Sequence, residues 1–223
     1  MSKKKRISKE KIIKEKSSLL DKISLKSGCI FSAVIVLLTL LIFYKPYVFD
    51  KLEPVGGDRM ASIGNSHQIH EYSQESGDRA LWNPNIFCGI PIYHNLDNKT
   101  FHIDRLISKL NPLLDWRIGW FIVGAIGMFL LIRILGFPWY YSLLGIMVFL
   151  FFPHYQALII VGHNFKIRAL CALPFVAYGF IRLIKKGDLL SLSIFAITLS
   201  LQIRTKHFQI IFYTLLLLLV IGI

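Results

Sequence analysis

Long apolar runs separated by polar gaps restrict what this chain can fold into more than any other feature. A helix needs roughly 20 apolar residues to cross a bilayer core. Inside lipid no backbone amide or carbonyl stays unpaired, so each run must be a helix or part of a closed barrel. A barrel would show short alternating segments. The runs here are continuous and rich in Leu, Ile and Phe, which reads as helices. The composition agrees: 54% of residues are hydrophobic and 17% charged, and the mean hydropathy is +0.55, outside the usual range of soluble domains.

The runs predict an all-α, polytopic transmembrane bundle of about six spans, near 28–44, 116–135, 139–152, 169–184, 189–203 and 208–223. Lys45-Pro46 ends the first, and Trp116 and Trp120 suit interfacial anchors of the second. Gly136-Phe137-Pro138 is a tight turn, and Pro153 breaks or kinks the third run. A polar patch, His154, Gln156, His163, Asn164, Lys166 and Arg168, follows it. Lys185-Lys186-Gly187-Asp188 stops the fourth run, and Arg204-Thr205-Lys206-His207 separates the last two. The final run is still apolar at Ile223, so the chain reads as the N-terminal part of a longer protein. Residues 28–223 then form the transmembrane domain, preceded by a basic tail, 1–27.

The formal charge of +13 raises nucleic acid as a partner, but its distribution points to a membrane. Ten of the 26 Lys and Arg precede the first run. A basic tail before a span is the positive-inside signal and places the N-terminus in the cytoplasm. It also suits anionic lipid head groups. No RNA- or DNA-binding motif is present, so nucleic acid is set aside. No small-residue cleavage site follows the first run, where Tyr44-Lys45-Pro46 stands, so that run is read as an uncleaved span. Cys29 and Cys171 lie in apolar runs and Cys88 stands alone, which supplies no disulfide framework.

Counting spans outward places residues 45–115 in one long extracytoplasmic loop. Long loops in compact proteins are often functional. Two helices are expected in it. One runs from Arg59 towards Glu75, with Asp58 as its N-cap. The other covers Phe101 to Leu110, where Ile103, Leu106, Ile107 and Leu110 share a face and suit an interfacial helix. Trp82-Asn83-Pro84-Asn85 and Cys88-Gly89-Ile90-Pro91 between them are rich in turns.

Asp58 follows two glycines just past the first span. Its carboxylate suits a general base or a metal ligand; the competing reading is a capping Asp with no further role. His67, His70 and Glu71 fall at i, i+3, i+4, a spacing that zinc sites use and that a solvated helix explains equally. Asn98-Lys99-Thr100 matches the glycosylation sequon, a triplet common by chance. The outer segments carry His163, Lys166 and Arg168, then Arg204, Lys206 and His207, on the side where the positive-inside rule expects few cations. They suit either a phosphate clamp or snorkelling at helix ends.

Several of these residues together resemble a known family. Pro54-Val55-Gly56-Gly57-Asp58, Ser66-His67-Gln68-Ile69-His70-Glu71-Tyr72 and Leu81-Trp82-Asn83-Pro84-Asn85-Ile86-Phe87-Cys88-Gly89-Ile90-Pro91 resemble the opening loop of bacterial YfhO-type membrane proteins. Gly162-His163-Asn164-Phe165-Lys166 and Lys206-His207-Phe208-Gln209 resemble later segments of that family. The resemblance spans about Pro54 to the end. It implies a GT-C-like glycosyltransferase architecture in the bacterial cytoplasmic membrane, taking a sugar from a polyprenyl-phosphate carrier to a cell-envelope glycopolymer. It assigns Asp58 as the acidic residue proposed as base or metal ligand. Gly57-Asp58 lacks a second adjacent carboxylate, which leaves a divalent metal open as cofactor. Two other classes stand beside this one. A transporter or flippase would carry polar groups at the bilayer midplane and use Pro153 and Pro174 to interrupt its helices; a non-catalytic scaffold would need neither.

Overall fold

The computed structural model of the chain describes residues 20, 23–92, 103–110 and 112–222. Most of the basic tail, the Asn98-Lys99-Thr100 sequon, Phe101-His102 and Ile223 lie outside the described residues.

Helix α1 (Leu25–Phe43) starts three residues before the expected span because the Ser24 hydroxyl accepts the Ser27 amide at 3.2 Å. The chain turns at Tyr44 into a short α2 (Lys45–Val48), whose Pro46 sits at the helix start where no amide hydrogen is needed. Helix α3 (Gly57–Ser76) follows and ends on left-handed Gly77. Two short strands, β1 (Trp82–Asn83) and β2 (Ile90–Pro91), pair antiparallel with Trp82 opposite Pro91. The chain is mostly helical, as expected, and this small hairpin stands where the sequence showed only turns.

Helices α4 (Ile103–Leu110), α5 (Trp116–Ile134), α6 (Trp139–Leu150), α7 (Pro153–Val161), α8 (Asn164–Lys186), α9 (Leu189–Ile203) and α10 (Phe208–Gly222) complete the chain. Asp115 and Asp188 cap α5 and α9 by accepting the amides of Arg117 and Ser191.

The largest departure from expectation lies at 153–168. Apart from His163, which lies between two helices, the polar patch there is helical. Pro153 occupies the first turn of α7, which resumes directly and buries Tyr155, Leu158 and Ile159. Gln156 faces inward and donates to the Tyr44 hydroxyl at 2.7 Å. Helix α8 starts at Asn164, so Lys166 and Arg168 occupy its first turns.

Four helical stretches are long and apolar enough to cross a membrane: α1, α5, α6 with α7, and α8. These mark the chain as a helical membrane protein. Helices α9 and α10 are apolar but shorter, with 15 residues each. Helix α5 packs most extensively on α8. Small residues permit the approach: a Cβ on Gly127 would lie 2.8 Å from the Phe175 amide nitrogen. Leu40, Tyr44, Phe121, Leu150, Ile159 and Ile167 form the centre of the core. Gln202 is fully buried and donates to the Ala169 carbonyl at 3.2 Å and the Thr214 hydroxyl at 2.8 Å, tying α9 to α8 and α10.

Candidate functional site

The site forms at the end of the bundle where α1 finishes and α5 and α8 begin. A charged network fixes the entry to α3. Arg117, in the first turn of α5, is 1% exposed. Its Nη1 donates to Asp115 at 2.7 Å and its Nη2 to Glu53 at 2.6 Å. The same Glu53 oxygen accepts from Arg59 at 2.7 Å. The guanidinium lies 4.8 Å from the Tyr47 ring centre and 5.0 Å from that of Trp116, so the cation is covered by aromatic faces. Burial raises the Asp115 carboxyl above its ordinary value, and the Arg117 hydrogen bonds and charge oppose that shift.

Two glycines then bring α3 onto the end of α7. A Cβ on Gly56 would collide with the Ile160 carbonyl oxygen and lie 2.6 Å from that of Val161. Gly162 has φ +100°, and a Cβ there would lie 2.9 Å from Arg59 Cβ. Only a glycine holds that backbone region without strain. The contact places Asp58, the second residue of α3, against the segment that follows α7.

Asp58 Oδ2 lies 3.2 Å from His163 Nε2, with both side chains about half exposed. The expected capping role is corrected: Gly56 is the N-cap of α3, and no side chain caps it. A capping carboxylate accepts its own helix's amides, whereas Asp58 sits inside the first turn and reaches across to His163.

The sequence-predicted cations divide. Lys166 lies in the first turn of α8. His207, just before α10, is held below its ordinary value of 6.5 by partial burial first, then by the nearby charges of Lys166 and His163. Lys166 and His163 therefore lie within electrostatic range of His207, and of these three His163 is the one paired with Asp58. Arg168 instead stacks on Trp116 at 5.0 Å and Phe165 at 5.6 Å. Arg204 is the C-cap of α9, and Lys206 takes a left-handed backbone in the next turn, both at this same end.

His67 pairs with Glu71 at 3.2 Å along an exposed face of α3. Among the described residues, no group of three or more His, Cys, Asp or Glu is placed to hold a metal ion.

Sequence reasoning missed Glu53 and Arg117. Asp115-Trp116-Arg117 at the mouth of an apolar run carried the signal, because an arginine just inside a span must find a partner. Glu53 is 64 residues away in sequence, and nothing local announces that pairing. No protein-family model, no curated protein and no solved structure matches the chain.

Proposed function

We propose that the chain is a membrane glycosyltransferase of YfhO-type, GT-C-like character, moving a sugar from a polyprenyl-phosphate carrier to a cell-envelope acceptor outside the bacterial cytoplasmic membrane. One observation carries the reading: a half-exposed carboxylate, Asp58, is held against His163, and His163 and Lys166 both lie near His207, at one end of an apolar bundle.

Oδ2 is engaged by His163, which leaves Oδ1 to take the proton of an acceptor hydroxyl. The acceptor oxygen attacks the anomeric carbon as the bond to the lipid phosphate breaks, and the configuration inverts. The phosphate leaves with the bonding electrons; Lys166 offsets its charge, and His163 and His207 offer ring N–H donors to its oxygens, as preorganised groups do at a developing anion. Arg168, Arg204 and Lys206 extend the positive field at the same membrane face.

An apolar groove of about 720 Å³, lined among others by Ile132, Tyr141, Leu144, Val148 and Phe152, runs between α5, α6 and α8. It suits the chain of a lipid-linked donor. In this reading α9 and α10 are also spans, giving six. Each rises about 22 Å at 1.5 Å per residue, so flanking Arg204 and Lys206 snorkel to complete the crossing. The N-terminus is cytoplasmic, consistent with Arg133, Arg182, Lys185 and Lys186 at the opposite end of the bundle.

A transporter is less well supported. Every Asp, Glu, Lys or Arg in the four span-length stretches lies within five residues of an end, whereas midplane charges mark substrate paths. Sugar transfer in membranes carrying Asp58→Asn is expected to fall by about 100-fold or more, the scale of general-base loss. Unchanged transfer overturns the assignment.

A further inference from the structure

A second cavity lies away from Asp58, between the C-terminal half of α3 and the β1–β2 hairpin. It measures about 690 Å³ and is lined in part by Gln68, Tyr72, Asp78, Arg79 and Trp82. That volume falls in the range of small-molecule sites. Tyr72 and Trp82 are 50% and 55% exposed, so two aromatic rings stand at the surface without a core to fill.

The Trp82 ring is held in place. Gly89, with φ +116°, lies close against the indole: a Cβ there would come within 2.6 Å of Cε2 and Nε1. Asn83 is buried, donates to the Asn65 carbonyl on α3 at 3.3 Å, and accepts the Asn85 amide at 2.9 Å. Gly77 ends α3, and the Asp78 amide donates to the Ser76 hydroxyl at 3.1 Å, which fixes the start of the rim. The cavity thus combines a braced aromatic platform with a carboxylate, a guanidinium and a carboxamide.

We propose that this cleft binds a saccharide. The apolar C–H face of a pyranose ring stacks on Trp82 and Tyr72, and its hydroxyls exchange hydrogen bonds with Asp78, Arg79 and Gln68, which together supply donors and acceptors. Asp78 and Arg79 cancel in charge, so a ligand recognised by hydroxyls fits better than a strongly anionic or cationic one.

The position of the cleft indicates the kind of saccharide. Ile69 and Tyr72 follow Asp58 by 11 and 14 residues on α3, which returns them to within about 40° of its azimuth and about 16–21 Å along the axis. No residue of α3 is buried, although Arg59, Asn65, Ser66, Ile69 and Ser73 are half-covered where α7 and the hairpin touch the helix. A ligand reaching from the cleft to Asp58 is an extended glycan of several units, the acceptor polymer rather than a monosaccharide. The acceptor role rests on the glycosyltransferase reading; saccharide binding does not.

The test uses the whole chain in phosphatidylethanolamine–phosphatidylglycerol nanodiscs, free of sugar-headed detergent, on a printed array of cell-envelope oligosaccharides. Binding to at least one multi-unit glycan is expected. Trp82→Ala weakens it by about tenfold or more, and Trp82→Phe, which keeps a stacking ring, restores most of it. Melting temperatures of the variants report folding separately. No glycan bound, or equal binding by a folded Trp82→Ala chain, overturns the site. The two readings separate cleanly: Trp82-dependent binding in a protein whose Asp58→Asn variant retains full transfer keeps this cleft and removes the catalytic role of Asp58. Loss of transfer on Asp58→Asn without glycan binding does the reverse.

Discussion

Arg117 and Asp58 show two ways a charged side chain is kept at the end of an apolar bundle. Arg117 is enclosed, with two carboxylates and two aromatic faces around it. Asp58 is half exposed and pairs with His163 at 3.2 Å. Their substitutions should therefore behave differently. Arg117→Gln strands Asp115 and unties Glu53 from α5, and breaking a buried pair costs about 3 kcal/mol or more. Glu53→Gln, at a half-exposed partner, should cost about 1 kcal/mol or less. Thermal unfolding of both variants in nanodiscs checks the ordering, and equal losses would show that Arg117 is not the hub. The sequence marked Asp58 as a candidate because two glycines and a span end precede it. It could not distinguish a capping carboxylate from one that reaches across to another segment, since both leave the same local pattern.

The two glycines before Asp58 look equivalent as residues and differ as parts of an element. Gly56 lies under the end of α7, where a Cβ would meet two carbonyl oxygens, while a Cβ on Gly57 would meet nothing within 4 Å. Gly56→Ala is expected to push α3 off α7, cost about 1–3 kcal/mol through overpacking and reduce transfer along with the Asp58–His163 contact. Gly57→Ala should leave stability unchanged or slightly raised, since alanine favours helix over glycine. Measuring melting temperature and transfer for both tests the packing, and identical behaviour would contradict it. The α6–α7 break was legible at Pro153, but its consequence was not. A proline disrupts a helix interior and is tolerated in a first turn, so the same residue could end one helix or begin the next. Burial of Tyr155, Leu158 and Ile159 on the core decides for a new helix.

Across the whole molecule, charge and apolar length predict an orientation that the native cysteines can report. Cys88 is exposed, Cys29 partly covered and Cys171 buried. With the α3–hairpin segment outside the membrane, a membrane-impermeant maleimide should label Cys88 in intact cells, and Cys88→Ser should remove the signal. Labelling only after permeabilisation would invert the topology and move the candidate site to the cytoplasmic face.

The sequence by itself determined the class of protein. Apolar runs of span length leave the backbone no option in lipid but helices, and the same runs located α1, α5, α6 and α8 within a few residues at most ends. The tertiary structure decided what those helices bring together. Glu53 with Arg117, Gly56 with Ile160, Asp58 with His163 and Trp82 with Gly89 are contacts between segments. No periodicity records such pairings, because hydropathy reports whether a residue leaves water and not which partner it meets.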